Sequence, residues 1–101
     1  MSNKVIAIIQ ARVGSRRLPG KVLLKLKGKS VIRHVVERTE AAKLVDKVYI
    51  ATTILDQDLA IIKECSKYDI NVFCGSENDV LDRYYQLAKL LKPEHVVRIT
   101  A

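Results

Sequence analysis

The sequence predicts a three-layer α/β/α fold, in which helices cover both faces of a mainly parallel sheet. Short β-branched segments alternate along the chain with amphipathic segments of about a dozen residues. The first segment, Lys4–Gln10, is a continuous apolar run, which is typical of a strand buried on both faces of a parallel sheet. Since parallel neighbours are joined by crossover helices, the alternation indicates the α/β class.

The other elements follow in the same alternating order. Ser30 stands immediately before an amphipathic segment and predicts the N-cap of the first helix. Between the first strand and Ser30, the apolar residues of Lys21–Leu26 predict an extended piece that ends in a turn at Gly28. We expect helices over Val31–Lys43, from Asp56 or Asp58 to Tyr68, and over Asp79–Leu91, and strands over Val48–Thr52, Asn71–Cys74 and His95–Thr100.

The second helix has a simple pattern. Asp56 or Asp58 can cap its amino end, because a carboxylate there accepts hydrogen bonds from free backbone N–H groups. Leu59, Ile62 and Cys65 are spaced at three-residue intervals and predict its inner face.

The composition is that of a globular domain, with 49% hydrophobic and 29% charged residues. We expect one nucleotide-binding unit over residues 1–101, placed in the cytoplasm, because its apolar runs are far below the ~20 residues that a bilayer span needs. Because the sequence ends just after the fourth expected strand, we expect a truncated domain. That strand would expose apolar surface, which favours self-association, including a homodimer.

The positive charge is concentrated at one end of the chain. Up to Val36 there are nine basic residues and no acidic one, whereas the rest of the chain holds nine basic and eleven acidic residues. A local positive field of this kind attracts a polyanion, either a nucleoside triphosphate or a nucleic-acid backbone.

A long loop over Ala11–Gly20 follows the first strand. Its glycine spacing fits neither a Walker loop nor a dinucleotide fingerprint. Gly14 lets the backbone approach a ligand closely, and the N–H groups around Ser15 can form an anion-binding nest. Three basic side chains of the same segment can converge on that anion: Arg12, Arg16 and Lys21. The loop therefore predicts a phosphate site.

The segment I-I-Q-A-R-V-G-S-R-R-L-P-G-K-V-L resembles the signature of cytidylyltransferases that activate acidic sugars, the acylneuraminate and Kdo families. V-Y-I-A-T-T, G-S-E-N-D-V-L-D-R-Y-Y and V-V-R-I-T-A extend the resemblance over the chain, and the spore-coat polysaccharide biosynthesis branch is the most similar. The resemblance implies a Rossmann-like, nucleotide-diphospho-sugar transferase-like fold. Gln10 departs from the acidic-sugar enzymes, which commonly have proline there.

The resemblance also implies an activity, in which a sugar oxygen attacks the α-phosphorus of CTP and pyrophosphate leaves. Arg12 and Lys21 would act on the triphosphate as catalytic residues, with Mg²⁺ held by a carboxylate beyond Ala101. The other implied nucleotide contacts are Ala11 against the nucleoside, the backbone N–H groups of Gly14 and Ser15 at the phosphates, and Gly75 and Asp79, from the segment Gly75–Arg83, near the base. Arg16 is added to these contacts by the basic residues of the loop itself. The 101 residues alone are expected to bind nucleotide without turning it over.

Two alternatives from the residues remain open. Asp56 and Asp58 have the D-x-D spacing that holds metal in glycosyltransferases using nucleotide sugars. The basic amino-terminal third could instead belong to a nucleic-acid-binding module, although aromatic residues are sparse at 5%. The cytidylyltransferase interpretation, in contrast, predicts no nucleic-acid partner and no membrane partner.

Overall fold

The computed structural model describes residues 5–12, 21–75 and 80–100. Over these residues the chain forms six strands and three α-helices. In chain order they are β1 (Val5–Gln10), β2 (Lys25–Leu26), β3 (Lys29–Ser30), α1 (Val31–Glu40), β4 (Lys47–Thr53), α2 (Leu59–Lys67), β5 (Asn71–Gly75), α3 (Val80–Leu91) and β6 (His95–Thr100).

The main sheet has the strand order β5-β4-β1-β6, and each neighbouring pair in it is parallel. Its strands are the four that the sequence predicts, so the α/β prediction is confirmed. At the centre, Ile8 of β1 lies opposite Tyr49 of β4 on one side and Arg98 of β6 on the other. All four strands therefore end at the same edge of the sheet.

Each face of the sheet carries its own core. On one face, Ile9 of β1 and Ile50 of β4 belong to a cluster with residues of α1 and α2. On the other face, Ile6 and Ile8 pack with Tyr84 and Leu87 of α3. This arrangement confirms the three layers. It also explains why the sequence of β1 is an unbroken apolar run.

The edge strand β6 exposes apolar side chains. Val96 is 38% and Val97 41% exposed, although β1 is buried from Ile6 onward. This exposure agrees with the expectation for the fourth predicted strand, and self-association of the chain stays a prediction. Over the described ranges, no helix is long and apolar enough to cross a membrane.

The segment before α1 differs from the prediction. Instead of one extended piece, residues 21–23 form a 3₁₀ turn, and β2 and β3 pair as a short antiparallel hairpin. The two residues of its loop, Lys27 and Gly28, have φ angles of 53° and 84°. Two positive φ values in a two-residue loop match the twist of a hairpin, and Gly28 adopts its conformation without steric cost.

Ser30 caps α1 as predicted. Its hydroxyl oxygen accepts a hydrogen bond from the backbone N–H of Arg33 at 3.3 Å. The helix ends at Glu40 and not at Lys43, because the chain leaves the helix through turns closed by the N–H groups of Ala42 and Val45.

Replacement of Ser30 by alanine should lower the free energy of unfolding by about 1 kcal/mol, because an N-terminal N–H of α1 loses its acceptor. Urea unfolding measures this change. Ser66→Ala is the matched control, since Ser66 is exposed within α2 and should change stability little. Equal stability of the two variants would contradict the capping assignment.

The predicted inner face of α2 is right for Cys65, which is fully buried, and wrong for Leu59, which is 44% exposed. Ile61 is fully buried, and Ile62 is half-buried. Asp56–Asp58 forms a 3₁₀ turn before the helix, so α2 begins at Leu59.

Candidate functional site

The candidate site lies where three parallel strands end. Gln10, Thr53 and Gly75 are the last residues of β1, β4 and β5, and these strands are adjacent in the sheet. Ligands of open α/β sheets bind outside this carboxyl edge. The sequence-predicted loop leaves β1 at the same edge.

The structure describes four of the eight sequence-predicted site residues. Ala11 is buried, and its N–H donates to the carbonyl of Ala51 at 3.1 Å, which continues the pairing of β1 with β4. Arg12 follows with its side chain 32% exposed. The backbone of Lys21 opens the 3₁₀ turn, and Gly75 ends β5. Gly14, Ser15, Arg16 and Asp79 lie outside the described residues.

Asp58 joins the loops that follow β1 and β4. Its side chain is fully buried, accepts a hydrogen bond from the Thr53 hydroxyl and lies 3.8 Å from Nε of Arg12. The Thr53 oxygen in turn accepts from the N–H of Leu55 at 3.1 Å. These contacts hold the start of the predicted phosphate loop against the end of β4.

The capping role predicted for Asp58 is therefore wrong. Asp58 stands at the cap position of α2, but its side chain makes no capping hydrogen bond. Its φ and ψ of −87° and −6° are helical, whereas an effective N-cap residue has extended backbone. The carboxylate turns inward to Thr53 and Arg12 instead.

Arg83 is a second buried charge at this edge. It lies in α3 and its residue is 0% exposed. With the Gln10 amide oriented to match its neighbours, the amide oxygen accepts from both terminal guanidinium nitrogens of Arg83 at 2.7 Å. Gly75 packs against the stem of the same side chain, because a Cβ there would lie 2.7 Å from Cγ of Arg83.

The three charged groups influence one another. Burial lowers the pKa of the Arg83 guanidinium, the positive charge of Arg12 lowers it further, and the negative charge of Asp58 opposes both effects. Two guanidinium groups thus share the field of one buried carboxylate. These three described groups carry two positive charges and one negative charge.

Sequence reasoning placed Arg83 only within a segment near the base and gave it no role of its own. The sequence nevertheless indicates that Arg83 is buried, because Arg83 stands four residues before the buried Leu87 and directly before the buried Tyr84. An arginine in register with the apolar face of a helix is turned toward the interior.

The two neighbouring tyrosines of α3 differ in burial. Tyr84 is 7% exposed, and its hydroxyl donates to the carbonyl of Ile99 in β6 at 3.2 Å. Burial raises the pKa of this hydroxyl. Tyr85 is 59% exposed on the outer side of α3. Tyr84 therefore fastens α3 to the sheet.

A metal site is not formed by the part of the chain that the structure describes. No group of three or more histidine, cysteine, aspartate or glutamate side chains is close enough there to hold an ion. Asp56 is exposed and Asp58 is buried against Arg12, so the D-x-D pair does not converge on one point. The described residues do not fit a Mg²⁺ ion by themselves.

A groove of about 140 Å³ lies elsewhere, between α1 and the turn that leads into β5. Arg33 stacks on the ring of Tyr68 there, with 3.5 Å between the guanidinium carbon and the ring centroid. Glu37 and Asp69 also line the groove. None of these residues belongs to the sequence-predicted site.

The chain is similar in sequence to known proteins. The model of the cytidylyltransferase family matches residues 6–101. The chain is 37% identical over 102 residues to the spore coat polysaccharide biosynthesis protein SpsF of Bacillus subtilis, and the match covers 97% of the chain and 42% of that protein.

Two solved structures are also similar. A cytidylyltransferase from Leptospira borgpetersenii superposes with a TM-score of 0.89 at 36% identity, over 96% of this chain and 41% of that one. A CMP:2-keto-3-deoxy-manno-octonic acid synthetase solved with CTP superposes with a TM-score of 0.81 at 26% identity, over 96% and 39% of the two chains. The chain spans about two fifths of the length of these relatives. By the family match over residues 6–101, the chain belongs to the cytidylyltransferase family.

Proposed function

We propose that the chain forms the CTP-binding part of an enzyme that transfers a cytidylyl group to a sugar. The observation that carries the proposal is the position of Arg12. Asp58 holds its guanidinium at the carboxyl edge of β1, immediately before the predicted phosphate loop. A cation fixed at this edge is placed to meet the phosphates of a nucleotide bound there.

In the proposed reaction, an oxygen of the sugar attacks the α-phosphorus of CTP. A new oxygen–phosphorus bond forms, the bond between the α-phosphorus and the bridging oxygen breaks, and pyrophosphate leaves with the developing negative charge. We expect Arg12, Arg16 and Lys21 to offset that charge, because positioned cations stabilise a transferring phosphoryl group. Gly14 and Ser15 would add backbone N–H donors.

We also propose the identity of the nucleotide and the pathway in which the enzyme acts. The family name and the CTP present in the related synthetase support CTP over other triphosphates. The similarity to SpsF supports a sugar of a spore-coat or surface polysaccharide. Mg²⁺ would be held chiefly by the phosphates and by a carboxylate outside the described residues, where it would neutralise phosphate charge. Ala11, Gly75 and Asp79 remain proposed contacts to the nucleoside.

Calorimetric titration of the chain with CTP, ATP, GTP and UTP tests the proposal. We expect CTP to bind most tightly, and Lys21→Ala to weaken CTP binding by about tenfold or more, because a charge-assisted hydrogen bond contributes about 1.5–3 kcal/mol. Lys43→Ala is the matched control, since Lys43 is exposed beyond the end of α1. No binding of CTP, or equal binding by Lys21→Ala and wild type, would refute the proposal.

A further inference from the structure

We propose that Arg83 is a positioning residue whose buried charge makes the carboxyl edge of β1 attractive to the phosphates of the nucleotide. The inference rests on the proposed nucleotide binding and deepens it. In this account Arg83 does not touch the ligand. It acts through Gln10 and through the electrostatic field at the start of the phosphate loop.

The charge of Arg83 has an unusual setting. Arg83 is fully buried, yet over residues 5–12, 21–75 and 80–100 no carboxylate forms an ion pair with it. Its hydrogen-bonded partner is the neutral amide of Gln10. Buried cations are normally paired with a carboxylate, because removal of a charge from water is costly.

The charged groups near Arg83 also support the proposal. Asp58 lies close enough to affect Arg83 electrostatically, but its ion pair is with Arg12. Asp58 is therefore the described carboxylate that acts on both guanidinium groups, and the charge of Arg83 has no ion-pair partner of its own among the described residues. In an interior of low dielectric constant the charge of Arg83 is weakly screened, so it attracts a nearby anion more strongly than a surface lysine does.

Gln10 connects Arg83 to the start of the loop. Gln10 is the last residue of β1 and is only 8% exposed. Two hydrogen bonds at 2.7 Å fix its amide on the Arg83 guanidinium. The chain then continues through the buried Ala11 to Arg12, so Arg83 fixes the exit of β1 from which the loop starts.

The discriminating experiment compares ligands of increasing charge. Arg83→Met and Arg83→Gln both remove the charge, and glutamine keeps a hydrogen-bonding group opposite Gln10. The affinities of each folded variant for cytidine, CMP, CDP and CTP are measured by calorimetry or by competition against CTP. Thermal unfolding of each variant establishes that it is folded.

We expect the loss of affinity to grow with each added phosphate. Binding of CTP should fall by about tenfold, binding of CMP should fall less, and binding of cytidine should stay close to that of wild type. Arg83→Lys keeps the charge and should retain the ratio of CTP to CMP affinity even if it is less stable. Arg38→Met removes the same charge from an exposed position in α1 and should leave the affinities unchanged.

An equal loss for all four ligands would show that Arg83 only supports the shape of the site, and it would overturn the inference. Unchanged CTP affinity in a folded charge-removing variant would overturn it as well. If both charge-removing variants unfold, a loss of the CTP to CMP ratio in Arg83→Lys would overturn it, and retention would support it. Absence of CTP binding by wild type would instead refute the proposed function.

Discussion

Asp58→Asn should lower the free energy of unfolding by about 3 kcal/mol. The substitution keeps the size of the side chain but removes the negative charge that faces Arg12 and lies near the buried Arg83. Removal of one partner of a buried ion pair costs about 3–5 kcal/mol, and we take the lower value because a third of the Arg12 side chain is exposed. Urea or thermal unfolding of the two proteins measures the difference.

A neighbouring aspartate provides the control for this experiment. Asp56 belongs to the same D-x-D sequence but is exposed, so Asp56→Asn should change stability by less than about 0.5 kcal/mol. Combination of Asp58→Asn with Arg83→Met should recover part of the loss, because fewer positive charges then remain without a counter-charge. Equal effects of Asp56→Asn and Asp58→Asn would contradict the buried role of Asp58.

Gly75→Ala should lower the free energy of unfolding by about 1–3 kcal/mol, since it adds a methyl group to a filled space. The new Cβ would lie 2.7 Å from Cγ of Arg83 and 3.2 Å from a ring carbon of Phe73. Arg83 cannot turn away easily, because its guanidinium is fixed on Gln10. The same variant should weaken CTP binding by displacing the buried charge.

The control for this prediction introduces Gly75→Ala after the side-chain atoms that the new methyl group would contact on Arg83 have been removed. In an Arg83→Ala background the Cγ atom is absent, so the additional cost of Gly75→Ala should be smaller than in wild type. Equal costs in the two backgrounds would show that Gly75 does not serve to accommodate Arg83. Chemical denaturation of the four proteins of this cycle gives the interaction energy directly.

Much of the fold follows from local patterns. The β-branched run of β1 and the alternation of strands and helices identified the parallel sheet, because each pattern depends on nearby residues alone. Leu59 was wrongly placed on the inner face of α2, since the 3₁₀ turn at Asp56–Asp58 shifts where the helix begins. Such a shift depends on how Asp58 packs against Thr53, which the sequence of the helix does not reveal.

The candidate site, like the fold, could be predicted only in part. Its location could be predicted, because Arg12 follows β1 in a loop rich in basic residues and glycine. Its internal support could not, since Gln10, Asp58 and Arg83 are distant in sequence and meet only when β1, β4 and α3 pack together. From sequence alone, Asp58 is indistinguishable from a helix cap, whereas in the structure it is a buried counter-charge.

Binding of a nucleoside triphosphate at the carboxyl edge of β1 and β4 can be tested with the amide chemical shifts of the ¹⁵N-labelled chain, recorded during a titration with CTP. We expect the largest shifts at Ala11, Arg12 and Thr53, with small shifts around the groove beside Tyr68. Largest shifts around Tyr68 and Asp69, with the strand ends unchanged, would refute binding at this edge.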